Sequence, residues 1–297
     1  MSDLLAAIRQ ALPELETREN EPLSRFVSFR IGGPAKYLLL PSSALELESL
    51  CALLRRLGEK PLILGNGSNV LPPDGGIDGT VILTRKSAAA AVEGTLLRAE
   101  CGALLTKVSG MAAEAGLTGL EFAFGIPGTV GGALVMNAGA YGGEMKDVVL
   151  RTEYLDGELR KCVCEGSGHE FRYRHSRFTP SDVILRTELQ LRRGEREAIQ
   201  ARCRELTEKR RASQPLDKPS AGSAFKRPES GYAAAMIDEC GLRGLRIGNA
   251  QVSEKHAGFI VNLGGATAED VKRLIFEVQE RVYDRLGVRL EPEIRIL

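Results

Sequence analysis

Between Gly125 and Gly143 the chain places seven glycines in nineteen positions, and the gaps hold Ile, Val, Leu, Met and Tyr rather than serine and charge. A flexible linker has the opposite filling. Backbone that is both glycine-rich and apolar suits close approach. The approach is either to a flat, largely apolar ligand ending in phosphates or, in the plainer reading, to the chain's own backbone at a tight strand corner. A second such place, Gly65-Asn66-Gly67-Ser68-Asn69, follows an apolar strand end at 61–64. Its peptide N–H groups can come near a phosphate, and Ser68 and Asn69 can add hydrogen bonds. An Asn-Gly turn between two strands is the alternative.

Several chemistries are excluded by what is missing. No Gly-x-x-x-x-Gly-Lys-Ser/Thr occurs, and Val70 stands where a dinucleotide fingerprint needs its third glycine. There is no Gly-x-Ser-x-Gly elbow and no His-Glu-x-x-His helix. The six cysteines form no Cys-x-x-Cys and the three histidines are scattered, so no metal site is expected and the thiols read as free. The net charge of +1 gives no field that would favour nucleic acid or a membrane surface. The N-terminal stretch mixes acids with an apolar stripe at Leu4, Ile8, Leu12 and Leu15, unlike a signal peptide, and a cytoplasmic protein is expected. Nothing in the composition fixes the oligomeric state.

The 297 residues allow about two ordinary domains or three small ones. The pattern predicts three segments. In 1–85, a strand over 35–40 leads to a helix opened by a Ser43-to-Glu46 capping box and closed at Gly58, followed by strands at 61–64 and 80–83. In 86–195, a strand at 96–100 and a helix ending before Gly116 precede the glycine-rich stretch. Strands at 148–155 and 159–163 then flank Asp156-Gly157, a hairpin turn signal, and 183–191 alternates as a further strand. In 196–297, a charged helix at 195–211 comes first. Thr267 then caps a long helix ending at Gly287, and 288–296 reads as a final strand.

Six blocks in order resemble one family. Asn66-Gly67-Ser68-Asn69, Gly125-Ile126-Pro127-Gly128-Thr129-Val130-Gly131-Gly132 and Met136-Asn137-Ala138-Gly139-Ala140-Tyr141-Gly142 are similar to the FAD-binding signatures of UDP-N-acetylenolpyruvoylglucosamine reductases. Tyr173-Arg174-His175-Ser176-Arg177-Phe178, Gly222-Ser223-Ala224-Phe225-Lys226 and Glu291-Pro292-Glu293-Ile294-Arg295 resemble that family's remaining motifs.

The resemblance implies an α+β fold of the vanillyl-alcohol-oxidase or PCMH type. Two subdomains, 1–85 and 86–195, would hold non-covalent FAD, and a third α+β domain, 196–297, would bind substrate. It implies reduction of UDP-N-acetylglucosamine enolpyruvate to UDP-N-acetylmuramate by NADPH, a step of peptidoglycan precursor synthesis. The cofactor contacts carried over are Gly65 through Asn69, Gly125 through Thr129, Gly131, Gly132, and Asn137, Ala138 and Gly139. Arg174 would grip the substrate carboxylate, Ser223 would donate the proton, and Glu293 would polarise the carboxylate end or feed the proton path. Tyr141, Tyr173, Lys226, Arg227, Arg243, Lys255, His256 and Arg295 are the candidate substrate contacts. Taken singly, these side chains have plainer readings: a surface arginine, a turn serine, an edge-strand ion pair and a core histidine.

Arg227 stands where the family often has Asn, and Asn249 replaces a commoner Gly. The third segment lacks room for the tyrosine-bearing lid of the longer subtype, so the shorter one is expected. Two rival readings remain at this stage. One is a flavoprotein oxidase of the same fold, which often tethers FAD through a Cys or His absent from these blocks. The other is a non-catalytic nucleotide-sugar binding protein, which predicts loss of the Arg, Ser or Glu.

Overall fold

In a computed structural model, which describes residues 3–297, the chain divides into two compact units. The first comprises residues 3–19, 37–66 and 79–208, and the second 20–36, 67–78 and 209–297. The polypeptide passes from the first to the second immediately after Asn66, inside the shorter glycine motif.

The first unit is built around a five-stranded antiparallel sheet in the spatial order Lys161–Glu165, Val149–Leu155, Val183–Gln190, Leu96–Glu100 and Ala90–Glu93. Period-two alternation puts Leu97, Ala99, Leu185 and Leu189 into the core, while Arg98, Arg151, Glu153 and Glu188 lie on the other face as ion pairs. The helices Ala44–Arg56 and Val130–Val135 both pack against the central strand Val183–Gln190. Beside this layer, Leu62–Leu64 pairs in parallel with residues 81–83.

Local chemistry explains most element ends. Ser43 accepts from the Glu46 N–H as expected, but the Glu46 carboxylate returns to the N–H of Ser42, one residue earlier than a capping box requires. Gly58 and Gly116 adopt positive φ just past their helices. The hairpin is a correction. Its loop spans 156–160 and the second strand starts at Lys161 rather than Leu159, because Asp156 Oδ1 accepts from the N–H groups of Glu158 and Arg160 and holds the wider loop closed. Cys162 and Cys164, two residues apart on one strand, share its inner face, Cys164 buried and Cys162 half-buried, and all six thiols are free.

The second unit pairs Ser220–Ser223, Phe259–Asn262, Ala250–Val252 and Arg246–Ile247 in that order, and lays the helix Ala268–Leu286 over them. That helix has a complete capping box between Thr267 and Asp270 and ends at left-handed Gly287. Asp74 accepts from the N–H groups of Ala268 and Glu269, at 2.7 and 3.2 Å, which satisfies two more of the helix's orphan donors. Val271, Leu274, Ile275, Val278 and Val282 are buried, each stabilising the unit by about 1.5–3 kcal/mol. The expected strand over 288–296 shrinks to Arg295–Ile296, parallel to Val70–Leu71. Pro292 lacks the N–H that a regular ladder needs, and residues 291–293 pair irregularly with 224–226.

His169 is completely buried in the first unit. Its Nδ1 lies 3.0 Å from the Gly166 carbonyl, so Nδ1 carries the proton and Nε2 accepts from the Thr152 hydroxyl at 2.9 Å. Burial pushes its pKa below the ordinary histidine value, favouring the neutral ring. The unfolded chain therefore binds the proton more readily. The stabilisation is complete above about pH 6.5 and is lost as pH falls towards the folded pKa. Melting curves between pH 7.5 and 5 should show a falling Tm whose slope is reduced in His169→Gln. An unchanged slope in that variant would contradict the assignment.

Candidate active site

In the first unit, two glycine motifs sixty residues apart in sequence come together. Asn66 Nδ2 donates to the Pro127 carbonyl at 2.6 Å, and an added Cβ on Gly65 would lie 2.2 Å from Thr129 Oγ1. Thr129 caps the short helix Val130–Val135 by accepting from the Gly132 N–H at 3.4 Å. The same segment is fastened behind by Leu105 N–H to Gly128 O, Val130 N–H to Ala103 O and Gly131 N–H to Cys101 O.

Several glycines of the long motif serve the protein's own packing. A Cβ on Gly131 would come within 3.0 Å of the Cys101 Cβ, one on Gly139 within 2.7 Å of the Gly143 carbonyl, and one on Gly143 within 2.6 Å of Phe122. The plainer reading of the stretch thus holds for these three. Gly132 is exposed, its would-be Cβ meeting nothing nearer than Thr129 Oγ1 at 3.6 Å, so this stretch of backbone is open to a ligand.

Asn137 is fully buried at φ 40°. Its Nδ2 donates to Glu144 Oε2 at 2.9 Å and to the Arg172 carbonyl at 3.0 Å, and its Oδ1 accepts from the Lys146 N–H at 2.9 Å. The Asn137 side chain is therefore engaged inside the protein, and its own N–H donates to the Leu134 carbonyl at 3.1 Å, so every donor of this residue has an internal partner. Burial works against the Glu144 carboxylate, yet hydrogen bonds from Lys146 and Asn137, with the charges of Lys146 and Arg174, hold its pKa below the usual range. Arg174, partly buried at φ 52°, donates from Nη2 to the Gly139 carbonyl at 3.2 Å, and its guanidinium lies 4.9 Å from the centre of the Tyr173 ring. Tyr141 and Tyr173 are exposed.

In the second unit, Ser223 and Glu293 are brought together by one ladder. Glu293 N–H donates to the Ala224 carbonyl at 2.8 Å, Lys226 N–H donates to Glu291 O at 2.8 Å, and Phe225 bridges Pro292. Asn69 Nδ2 donates to the Glu293 carbonyl at 3.1 Å, while Arg295 N–H donates to Asn69 O at 3.0 Å. The last residue of the shorter glycine motif thus fixes the strand that carries the acid. Gly222, at φ 77° with open space around its α-carbon, gives the bend before Ser223.

The candidate cations of this unit have internal partners. Lys226 pairs with Glu291. Arg243 pairs with Asp238 and donates to Glu254 O at 2.7 Å. Lys255 Nζ donates to Arg211 O at 2.6 Å, and Arg227 stacks 4.1 Å over the Tyr232 ring. The His256 Nδ1 accepts from the Gly258 N–H at 3.1 Å and the ring lies edge-on to Phe259. Burial lowers its pKa, with the Arg243 charge acting in the same direction, so it behaves as a neutral packed histidine.

Sequence reasoning passed over Arg85 and Glu144. Arg85 donates to the Asn66 carbonyl at 3.3 Å from the 3-10 turn Thr84–Lys86, and no motif signals it. Glu144 closes the glycine-rich block itself, which was the available cue.

These features fit the flavin that the resemblance implies. In the first unit the N–H groups of Asn66, Gly128 and Thr129, and in the second those of Gly67, Ser68 and Asn69, donate to no group among the described residues. Consecutive free peptide donors are what a diphosphate takes up. Among the described residues no cluster of His, Cys, Asp and Glu could hold a metal.

Known proteins give the same reading. A family model described as FAD binding domain matches residues 35–162, and one described as UDP-N-acetylenolpyruvoylglucosamine reductase, C-terminal domain, matches residues 214–297. The UDP-N-acetylenolpyruvoylglucosamine reductase of Caldicellulosiruptor bescii is 46% identical over 286 residues, covering 95% of this chain and 91% of its own. The crystal structure of UDP-N-acetylenolpyruvylglucosamine reductase from Thermus caldophilus aligns with a TM-score of 0.80 at 36% identity, over 95% of this chain and 98% of the other. Berberine bridge enzyme, 13% identical with a TM-score of 0.50 over 66% of this chain and 44% of its own, shares the fold alone.

The contact between Gly65 and Thr129 is directly testable. Gly65→Ala must push Thr129 out of its capping position, which by itself removes about 1 kcal/mol. It also separates the two motifs. Purified Gly65→Ala should melt at a lower temperature and retain under a tenth of the wild-type flavin after gel filtration. Full flavin content would show that the two motifs need not touch.

Proposed function

Since the chain belongs to the UDP-N-acetylenolpyruvoylglucosamine reductase family, we propose how its own residues divide the reaction between them. The enzyme is an oxidoreductase with the α+β flavin fold of the vanillyl-alcohol-oxidase or PCMH type. With FAD and NADPH it reduces UDP-N-acetylglucosamine enolpyruvate in peptidoglycan precursor synthesis. Bound FAD supplies the redox chemistry, carrying a hydride from NADPH to the enolpyruvyl methylene carbon.

The residues proposed to hold FAD are the backbones of Gly65 through Asn69, Gly125 through Thr129, Gly131, Gly132 and Asn137 through Gly139. The side chains of Asn66, Asn69 and Asn137 tie these segments in place. The cofactor is held without a covalent tether. The thiol nearest the motifs, Cys101, is fully buried and its pKa is pushed up to about 12, so it stays protonated and unreactive.

Hydride arrival leaves negative charge on the neighbouring carbon and the carboxylate. Arg174 is proposed to bind that carboxylate, more strongly as the charge grows. Ser223 Oγ gives its proton to the carbon that bears the ether oxygen. Glu293, in the segment bonded to Ala224 beside Ser223, supports that proton path. The hydrogen bond from the Glu293 N–H to the Ala224 carbonyl supports this reading, because it joins the segment of the acid to the segment of the hydroxyl within one unit.

Lys226, Arg227, Arg243, Lys255, His256 and Arg295 are proposed to serve the sugar nucleotide, with Tyr141 and Tyr173 at the enolpyruvyl end. Lys226, Arg243 and Lys255 must then exchange an internal partner for the ligand. The division into 1–85 and 86–195 for FAD and 196–297 for substrate is part of this proposal; the family models at 35–162 and 214–297 support an FAD-binding part followed by a C-terminal part, while the compact units cut the chain at other places. We place the enzyme in the shorter subtype without the tyrosine lid, acting in the cytoplasm. Among the described residues no helix is long and apolar enough to cross a membrane.

Acid precipitation should release the flavin into the supernatant; yellow colour remaining with the pellet would indicate a covalent bond. Ser223 acts only after hydride transfer to substrate. Stopped-flow mixing of Ser223→Ala with NADPH should therefore bleach the flavin at a near-normal rate, while reoxidation by enolpyruvyl-UDP-N-acetylglucosamine slows by about 10²–10⁴-fold. Arg174→Ala should share the second defect and also bind substrate more weakly, since it meets charge present in the ground state. Normal reoxidation by Ser223→Ala would move the proton donor elsewhere, first to Glu293 through a water.

A further inference from the structure

Arg174 sits at the tip of a four-residue turn, and both ends of that turn are fastened to the glycine-rich block. Arg172 and His175 close the turn by exchanging N–H to carbonyl bonds at 3.0 and 3.1 Å. The Arg172 carbonyl then has one lone pair left, and Asn137 Nδ2 takes it at 3.0 Å. On the far side, Ser176 Oγ donates to the Val135 carbonyl at 2.9 Å, and Arg177 N–H donates to the His169 carbonyl at 2.9 Å. Between these ties Arg174 is held at φ 52°, a conformation that a long side chain adopts only where its surroundings impose it.

The guanidinium is referred to the same short segment. It donates to the Gly139 carbonyl, two residues beyond Asn137, and the Glu144 carboxylate bound to Asn137 Nδ2 lies within its electrostatic reach. Asn137 suits the position on two counts. It is buried at φ 40°, which asparagine tolerates better than most residues, and both of its amide hydrogens and its oxygen are engaged.

We propose that Asn137 is a positioning residue for the second half of the reaction, fixing the turn from which Arg174 meets the substrate carboxylate. The proposal rests on the carboxylate-binding role given to Arg174 above. Asn137 touches no reacting atom; it acts by keeping the guanidinium at one place. An ångström of freedom there is enough to slow a reaction by about 10²-fold.

The test is a double-mutant cycle in the FAD-loaded enzyme. NADPH-reduced protein is mixed anaerobically with enolpyruvyl-UDP-N-acetylglucosamine, and the reoxidation rate is followed against substrate concentration. Asn137→Gly keeps the positive φ and removes only the ties, so it separates tethering from backbone strain. It should slow reoxidation or weaken substrate binding by about 10-fold or more, and the double variant with Arg174→Ala should be no slower than Arg174→Ala alone. Ser176→Ala removes the second tie with a smaller change in the fold. It should give a weaker effect in the same direction, again absent on the Arg174→Ala background, and it decides the matter if Asn137→Gly does not fold.

A structural role alone predicts effects that multiply with Arg174→Ala at equal flavin loading; multiplication, or wild-type reoxidation by Asn137→Gly, overturns the proposal. Wild-type reoxidation by Arg174→Ala itself would instead overturn the role of Arg174, and this inference with it.

Discussion

Gly65 and Thr129 stand so close that no side chain fits between them, and the first unit's binding surface follows from that approach. Thr129 is at once a helix cap, a neighbour of Gly65 and the residue next to Gly128, whose carbonyl accepts from Leu105. One buried β-branched side chain therefore sets the distance between two loops and the start of a helix. Because the loops are held by their side chains and by packing behind them, the peptide N–H groups of Asn66, Gly128 and Thr129 find no partner among the described residues. Anion binding by backbone amides requires this division of labour, since amides already bonded within the chain cannot donate again.

The three asparagines of the motifs show the same division. Asn66 ties its loop to Pro127, Asn69 ties its loop to Glu293, and Asn137 ties the glycine block to the Arg172 turn. An asparagine can donate twice and accept, so one buried residue can fix two segments that are remote in sequence. At Asn137, the buried one of the three, an amide left without those partners would destabilise the fold by about 1–3 kcal/mol, so that tie serves stability as well as function.

Much of this was legible in the sequence. The caps at Ser43 and Thr267, the positive-φ glycines at 58, 116 and 287, and the inward alternation of 183–190 are local chemistry, and local chemistry is what a sequence displays. The misplaced features depend on partners far away in the chain. Asp156 bonds amides of its own loop and so widens the turn beyond the expected strand start at Leu159. Residues 288–294 lost their regular strand because they meet the 224–226 segment only through a single antiparallel bridge at Pro292. The motif blocks were found, but what their side chains do was not. Asn66, Asn69 and Asn137 look like ligand-facing amides until their long-range acceptors are known, and Gly131, Gly139 and Gly143 look like ligand-facing glycines until Cys101, Glu144 and Phe122 are seen against them.

Backbone strain marks the same region by an independent route. Among the described residues seven that are not glycine have positive φ, and Asn137, Tyr141 and Arg174 are three of them. Each such conformation costs roughly 1–3 kcal/mol unless its surroundings compensate. At Leu159 the compensation is visible in a loop closed by Asp156, and nothing more is required of it. At Asn137 and Arg174 the compensating bonds converge on one another, because the carbonyl that Asn137 holds begins the turn that Arg174 completes. Strain shared between two residues in this way resists relaxation at either one alone. A guanidinium that must meet a growing charge without reorganising is best mounted on such a turn, where the energy to hold it has already been supplied by folding.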